Sequence, residues 1–311
     1  MLLASTYLTA LVFNMVLGYE SQISWNSAVL YGAIASATDP VAVVALMKEL
    51  GASRRLATLV EGESLLNDGT AMVVFNVVFE IIKGDAEIGP GILGSFVRLA
   101  FGGPLLGIVV AIFASSWLKR IYNDSVLEVN LTIVCSYLIF FLAESTILKV
   151  SGVLAMTGFG LYMNFKGKTK ISIASEESVH HVWSYIGFFA ETIIFLLTGV
   201  ICGDKVLHNE FITGKDYGML FAHYAWQHVI RFGLLFISWP LLKKMGYGLS
   251  FKQLILLAYA GLRGAVGLTL ALICYSDNEM DERTKTIILF HTAGLAFLTI
   301  IINGTTTGFL I

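Results

Sequence analysis

Ten apolar stretches divide the chain, at about 2–18, 26–48, 54–82, 93–118, 126–148, 150–165, 182–202, 216–242, 253–276 and 285–309, with short polar connections between them. A run of about 20 apolar residues is what a helix needs to cross a hydrocarbon core of about 30 Å. Within that core each backbone polar group must be satisfied without water, which for runs of this kind means an α-helix. With 56% hydrophobic and 14% charged side chains and a mean hydropathy of +0.78, the chain lacks the polar surface that a soluble globule of its size needs. The expectation is an all-α polytopic membrane protein with about ten transmembrane helices, one transmembrane domain over 1–311 and no soluble domain. The lipid bilayer is its medium, and neither a soluble enzyme nor a nucleic-acid partner is expected. The first run has no basic leader and no A-x-A-like cleavage site, so it reads as a spanning helix rather than a secretory signal.

The net charge of −2 conceals an asymmetry between the two sets of connections. Eleven of the 20 Lys and Arg residues fall in alternate connections: Lys48, Arg54 and Arg55; Lys119 and Arg120; Lys166, Lys168 and Lys170; Lys243, Lys244 and Lys252. Those sides read as cytoplasmic, which puts both ends of this chain inside. The opposite connections carry six, Lys83, Lys149, Lys205, Lys215, Arg283 and Lys285, among acids such as Asp85, Glu87, Asp204, Glu210, Asp277 and Glu282. The glycosylation-type triplets at Asn123, Asn130 and Asn303 then lie on the cytoplasmic side and are chance matches. Cys135, Cys202 and Cys274 form no close pair and read as packing residues.

An uncompensated charge at a helix centre costs at least about 2.5–3.5 kcal/mol in a membrane, so intramembrane charges carry most of the information. They are Asp39, Glu61, Glu63, Asp68, Glu191, Arg231 and Arg263, with Glu80, Glu144 and Arg98 near span ends. Asp39 stands in "ATDPVAVVALM", before Pro40. The proline ring cannot donate to the carbonyl of Ser36 and clashes with it, so the second span should open over 36–39. Broken backbone at that depth is tolerated only where it is buried in protein or lines a watery cavity.

The third span, "LVEGESLLNDGTAMVVF", supplies a partner. Ser64 and Asp68 share one helix face, and Glu63 and Asn67 form a neighbouring stripe. The turn "ELGASRR" joins the two spans, with Gly51 placed to end one helix and Ser53 to cap the next. At about 1.5 Å per residue, Asp39 and Asp68 lie about 18 and 20 Å from that turn, at nearly equal depth. Hard oxygen ligands there suit an alkali cation, and no His or Cys is present to favour a transition metal. In the ninth span, "LLAYAGLRGAVGLTLAL", Gly261, Gly264 and Gly267 loosen the helix around Arg263. Arg263 needs a counter-charge, and Glu63 is the expected one. Breaks in spans two and nine suit two inverted repeats that each contribute one discontinuous helix to a midplane site.

The stretch from "ATDPVAVVALM" through "GESLLNDGTAMVVF", with "SGVLAMTGFGLYMN", "ETIIFLLTGV", "YAGLRGAVGLTLAL" and "FLTIIINGTTT", closely resembles the sodium/proton exchanger family of monovalent cation:proton antiporters. The wording is most similar to the branch that holds plant salt-tolerance and sperm-specific exchangers. The resemblance implies an inverted-repeat antiporter fold with two broken crossing helices. It implies a cation- and proton-binding site of Asp68, Asn67, Asp39, Thr38 and Ser64, with Asp68, Asp39, Thr38 and Ser64 ligating sodium. It further implies a structural ion pair of Glu63 with Arg263, and Glu191 in an ion funnel. Sodium, with lithium or potassium as relatives, and the proton are the implied substrates. No cofactor, a homodimer when full length, and a plasma-membrane location are implied too. The family's fold has twelve or thirteen spans and this chain starts at what matches the fourth of thirteen. About three N-terminal helices, and the branch's regulatory tail, are therefore expected to lie outside it.

A single titrating carboxylate at the Asn67–Asp68 pair implies electroneutral one-for-one exchange, since a proton and a cation neutralise the same charge. The competing readings are a passive channel, which would show a continuous polar stripe through several spans, and a membrane module that binds the ion without transporting it. Arg231 is left outside the site, the histidines read as solvated or packing residues, and Gly102, Gly103 and Gly107 as helix-packing positions.

Overall fold

A computed structural model describes residues 1–19, 23–51, 53–84, 90–206, 211–244 and 248–309. Asp85, Glu87 and Glu210 of the acidic connections lie outside the described residues. The described chain is helical and has no strand. Its α-helices are α1 (Leu2–Leu11), α2 (Trp25–Ser36), α3 (Val41–Glu49), α4 (Arg54–Lys83), α5 (Pro90–Val97), α6 (Gly103–Leu118), α7 (Ser125–Glu144), α8 (Gly152–Tyr162), α9 (Ile173–Ile201), α10 (Gly214–Lys244), α11 (Phe251–Tyr259), α12 (Ala265–Ser276) and α13 (Glu282–Leu298). Counting α2–α3, α5–α6 and α11–α12 as one run each, these follow the ten apolar stretches. Arg54–Lys83, Gly94–Leu118, Ser125–Glu144, Ile173–Asp204 and Glu282–Gly304 are long and apolar enough to cross a membrane unbroken.

Polar side chains cap several of the helix starts. The Asp124 carboxylate accepts from the amides of Val126 and Leu127, each at 3.1 Å. Ser250 and Gln253 form a reciprocal capping box at the start of α11, and Asp281 accepts from the Thr284 amide at 3.1 Å. Gly51, at φ +71, turns the chain between α3 and α4 in the left-handed region. Ser53 stands at the N-cap of α4 but makes no side-chain cap there. Its carbonyl instead accepts from Leu56 and Ala57. Over the seventh apolar stretch, α9 begins nine residues before the apolar window, at Ile173, and carries His180 and His181 on helix rather than connection. Hydropathy marks the part of a helix that lipid covers. Nothing in "IASEESVHH" stops a helix from extending past it.

The chain divides into two compact units, Met1–Ala86 with Ile194–Ile311, and Glu87–Ile193. In the second, α6 and α8 pack backbone to backbone. A Cβ at Gly107 would collide with the Ala155 carbonyl, and one at Gly158 with Pro104. That close approach is what small residues at a membrane helix interface permit. Ala111, Ala114, Ile139, Ala143 and Phe159 fill the core beside it.

The first unit holds both breaks. Here α2 ends at Ser36, Ala37 is extended at ψ 135, and α3 begins after Pro40. The second break lies between α11 and α12, where Gly264 is extended. The two breaks cross: the Asp39 amide donates to the Leu262 carbonyl at 2.8 Å, a single antiparallel backbone pairing. A Cβ on Gly264 would run into the Asp39 side chain, so the crossing needs glycine there. Below it, Val43, Val44, Met47, Leu56, Val60, Leu254 and Leu257 form the apolar core of α3, α4 and α11.

Candidate cation site

The site is assembled where α4 passes the crossing. Pro40 has no amide to return to Ser36, and the chain leaves the helix at Ala37, so the Ala37 and Thr38 carbonyls are free of the helical ladder; the Val41 amide goes to Asp39 Oδ1 instead. The Ser64 hydroxyl donates to the Thr38 carbonyl. The Asn67 amide donates to the Thr38 hydroxyl at 3.3 Å and to Glu63 Oε1 at 3.4 Å. Asp39 Oδ1 accepts from the Val41 amide at 3.0 Å and so caps α3. Asp68 stands one turn beyond Ser64, and its buried Oδ1 has no hydrogen-bond partner among the described residues. It feels the charges of Asp39 and Arg263. Thr38, Asp39, Ser64, Asn67 and Asp68 thus meet in one place as carboxylate, carbonyl, hydroxyl and amide oxygens, a hard donor set of the kind small cations accept. A cavity of about 30 Å³ beside them is bordered by Ser36, Glu63, Asn67, Arg231 and Arg263.

The two arginines exchange the roles assigned from sequence. Glu63 pairs with Arg231, Nη2 to Oε2 at 3.0 Å, and not with Arg263. Arg231 also donates to the Ala258 and Leu257 carbonyls at 3.0 and 3.2 Å, the carbonyls released where α11 ends. Arg263 points the other way, donating to the Ala37 carbonyl and to Gln227 Oε1, each at 2.9 Å. Its own amide reaches Thr299 Oγ1 at 3.1 Å. Each guanidinium therefore ties one broken helix down, and the fork geometry of arginine allows each to serve several acceptors. The physical reason for the exchange is placement. Arg263 sits in the break itself, beside Ala37, whereas α10 brings Arg231 alongside the Glu63 stripe of α4.

Glu61, one of the intramembrane acids expected from sequence, is exposed and pairs with Lys48 at 3.2 Å. Glu191 lies on α9 within the second unit, where it is partly buried. Sequence reasoning missed Arg231 and Gln227. The signal was present: Asp216, His223, Gln227 and Arg231 follow one another at intervals of seven, four and four, a single stripe of α10.

A family model described as "Sodium/hydrogen exchanger, transmembrane" matches residues 1–311. The chain belongs to the sodium/hydrogen exchanger family. Among curated relatives, Sodium/hydrogen exchanger 7 of Arabidopsis thaliana is 39% identical over 292 residues, covering 92% of this chain and 25% of its own length. Sodium/hydrogen exchanger 8 of the same plant is 36% identical, covering 99% of this chain and 41% of its own. The chain thus spans between about a quarter and two-fifths of these exchangers. The Na(+)/H(+) antiporter NhaH of Halobacillus aidingensis is 28% identical, covering 97% of this chain and 72% of its own. In fold, the chain matches the sodium proton antiporter MjNhaP1 of Methanocaldococcus jannaschii with a TM-score of 0.75 at 20% identity, over 99% of this chain and 75% of that one. The expected antiporter architecture is therefore the one observed, in a membrane exchanger family.

Proposed function

We propose that this chain exchanges one monovalent cation for one proton, with Asp68 binding either in turn. The observation that carries the reading is the buried, unpartnered Asp68 Oδ1 set against the crossing of two broken helices. A carboxylate so placed is neutralised by a proton or by a cation, and the arrival of one favours departure of the other. Thr38, Asp39, Ser64 and Asn67 complete the cation site, with Thr38 and Ser64 supplying neutral oxygens and Asp39 a second carboxylate. Asn67 cannot take up a proton, which leaves one titrating group at the pair and an electroneutral cycle. Sodium is the favoured cation, with lithium and potassium as competitors, and no cofactor takes part. Glu63 and Arg231 hold α4 to the end of α11, and Arg263 clamps the crossing. Glu191 serves the ion funnel.

Alternating access arises from movement of the helices that hold the crossing relative to the rest, as in transporters built from inverted repeats. The chain spans the plasma membrane with both of its ends on the cytoplasmic side, and the full-length exchanger works as a homodimer.

The test is sodium-driven recovery of internal pH in acid-loaded vesicles, comparing the chain with Asp68→Asn. Recovery is expected in the first and not in the second. Recovery at equal rates in both would exclude the chemistry proposed. Ion binding without recovery in either would favour a non-transporting module, and a current that tracks the sodium gradient would rule out one-for-one exchange.

A further inference from the structure

Above the crossing, α10 presents polar groups that ion exchange at Asp68 does not use. Asp216, His223 and Gln227 are buried on the stripe that ends in Arg231. Tyr19, His291 of α13 and Tyr31 of α2 join them, and Tyr31, His223 and His291 are each 0% exposed. Phe13 packs on all of these rings, with centroids at 4.9 Å from Tyr19, 4.2 Å from Tyr31, 5.8 Å from His223 and 5.2 Å from His291.

The hydrogen bonds here have a direction that can be worked out from chemistry alone. Arg263 only donates, so the Gln227 atom it reaches at 2.9 Å is the amide oxygen. The Gln227 nitrogen then donates to Thr9 Oγ1 and to His223 Nε2, each at 3.1 Å. His223 Nε2 is therefore an acceptor, and its proton sits on Nδ1. At the far end, Asp216 Oδ2 accepts from the Thr213 amide and hydroxyl at 2.7 and 2.6 Å, and Oδ1 accepts the Tyr19 hydroxyl proton at 2.5 Å. Tyr19 has given up its one proton, so at 3.0 Å it must receive one from His291 Nε2. His291 is fully buried, which favours the neutral ring, and in a neutral ring that donates from Nε2 the Nδ1 is a bare acceptor.

That leaves one donor, His223 Nδ1–H, and one acceptor, His291 Nδ1, both buried and both without a hydrogen-bond partner among the described residues. The Tyr31 hydroxyl is a third such group. The three rings are mutual neighbours, with centroids 5.4 Å (Tyr31–His223), 5.8 Å (His223–His291) and 6.2 Å (Tyr31–His291) apart. A buried polar group left unmatched costs about 1–3 kcal/mol, and a buried water typically satisfies about three of them. We propose that a structural water is held between His223 Nδ1–H, His291 Nδ1 and the Tyr31 hydroxyl. It completes a chain of hydrogen bonds of one polarity from Arg263 to Asp216 that positions Arg263 on the broken crossing. Each member donates towards Asp216: Arg263 to Gln227, Gln227 to His223, His223 to water, water to His291, His291 to Tyr19, Tyr19 to Asp216. The amide of Gln227 does not pass protons, so the chain fixes geometry rather than conducting protons to the ion site. Its role in exchange rests on the reading of Asp68 and the crossing given above. The water and the tautomers do not.

Solid-state ¹⁵N NMR of the full 311-residue chain in lipid bilayers, with histidines assigned through sequential backbone correlations, reads the arrangement without any transport. The expected result is opposite neutral tautomers, Nδ1–H at His223 and Nε2–H at His291, both with magnetisation transfer from water protons. Matching tautomers, a doubly protonated ring, or rings with no water contact would overturn the proposal. In vesicles, His291→Phe is expected to raise the sodium concentration for half-maximal exchange on the order of 10-fold, as loss of an outer-shell partner does. His291→Gln, whose amide can donate to Tyr19 and accept from the water, is expected to restore most of it. An unchanged half-saturation in His291→Phe would overturn the positioning role. Loss of exchange in Asp68→Asn tests the underlying site independently.

Discussion

At the scale of single residues the assignment that matters most is which arginine answers Glu63. Arg231 and Glu63 are 16% and 22% exposed at their side chains, so the pair is largely out of water. Removing one partner of a buried pair leaves a charge unanswered and costs about 3–5 kcal/mol, more than the pair itself contributes over apolar replacements. Glu63→Gln is therefore expected to lower the thermal unfolding midpoint in detergent. Glu63→Arg combined with Arg231→Glu should recover much of the loss, whereas Glu63→Arg combined with Arg263→Glu should not. The reverse outcome would return Arg263 to the role its sequence context suggested. The acids of the candidate site were legible because carboxylates in apolar runs are few. The pairing was not, because two arginines of equal charge lie within reach of one acid in sequence terms, and only the path of α10 separates them.

At the scale of helices, the breaks and the turns follow from local chemistry. Pro40 ends α2, the glycines around Arg263 open the second break, and side-chain caps mark the starts of α2, α7, α8, α11 and α13. Gly264 and Gly62 make opposite predictions from the same substitution. Gly264→Ala places a methyl group against Asp39, so the crossing must shift and sodium-driven recovery should fall. Gly62→Ala meets nothing within 4 Å, and should stabilise the helix by the usual gain of about 0.5–1 kcal/mol, read as a higher unfolding midpoint. Ser250→Ala removes one half of a capping box and should cost about 1 kcal/mol, read as a lower midpoint with exchange retained. Among the described residues, five π-helical turns, at Val12–Val16, Arg98–Gly102, Met163–Gly167, Cys202–Val206 and Thr299–Gly304, had no sequence signal. They widen the helix by one residue per turn, and nothing in residue type announces where tertiary contact favours that.

Across the whole molecule, charge placement ties helix ends together and is the basis of the orientation proposed above. A cysteine introduced at Arg54 should react with an impermeant reagent from the cytoplasmic side, and one at Glu279 from the opposite side. Labelling of both from one side would overturn the topology. At the Glu279 end, Lys83 at the C-terminus of α4 bonds Asp277 at the end of α12 at 2.5 Å. That hydrogen bond is the main reason the Asp277 carboxyl is held below its ordinary range, with the Glu279 amide helping. A depressed carboxyl stabilises the fold above the ordinary carboxylate pKa of about 3.9, and that contribution is lost as pH falls through the lower folded-state value. Asp277→Asn should therefore be less stable at neutral pH, and the difference from the parent chain should narrow in acid, as followed by thermal unfolding at stepped pH.

From residue order alone came the membrane class, ten helical runs, the positions of both breaks and the acids beside them. All of these depend on interactions within a few residues or on the exclusion of charge from lipid. What needed the folded chain was which groups distant in sequence meet: Leu262 with Asp39, Arg231 with Glu63, Arg263 with Ala37 and Gln227, and the ring cluster around Phe13. Such contacts depend on how helices cross. Packing of the whole unit sets that crossing, so no stretch of sequence carries it by itself.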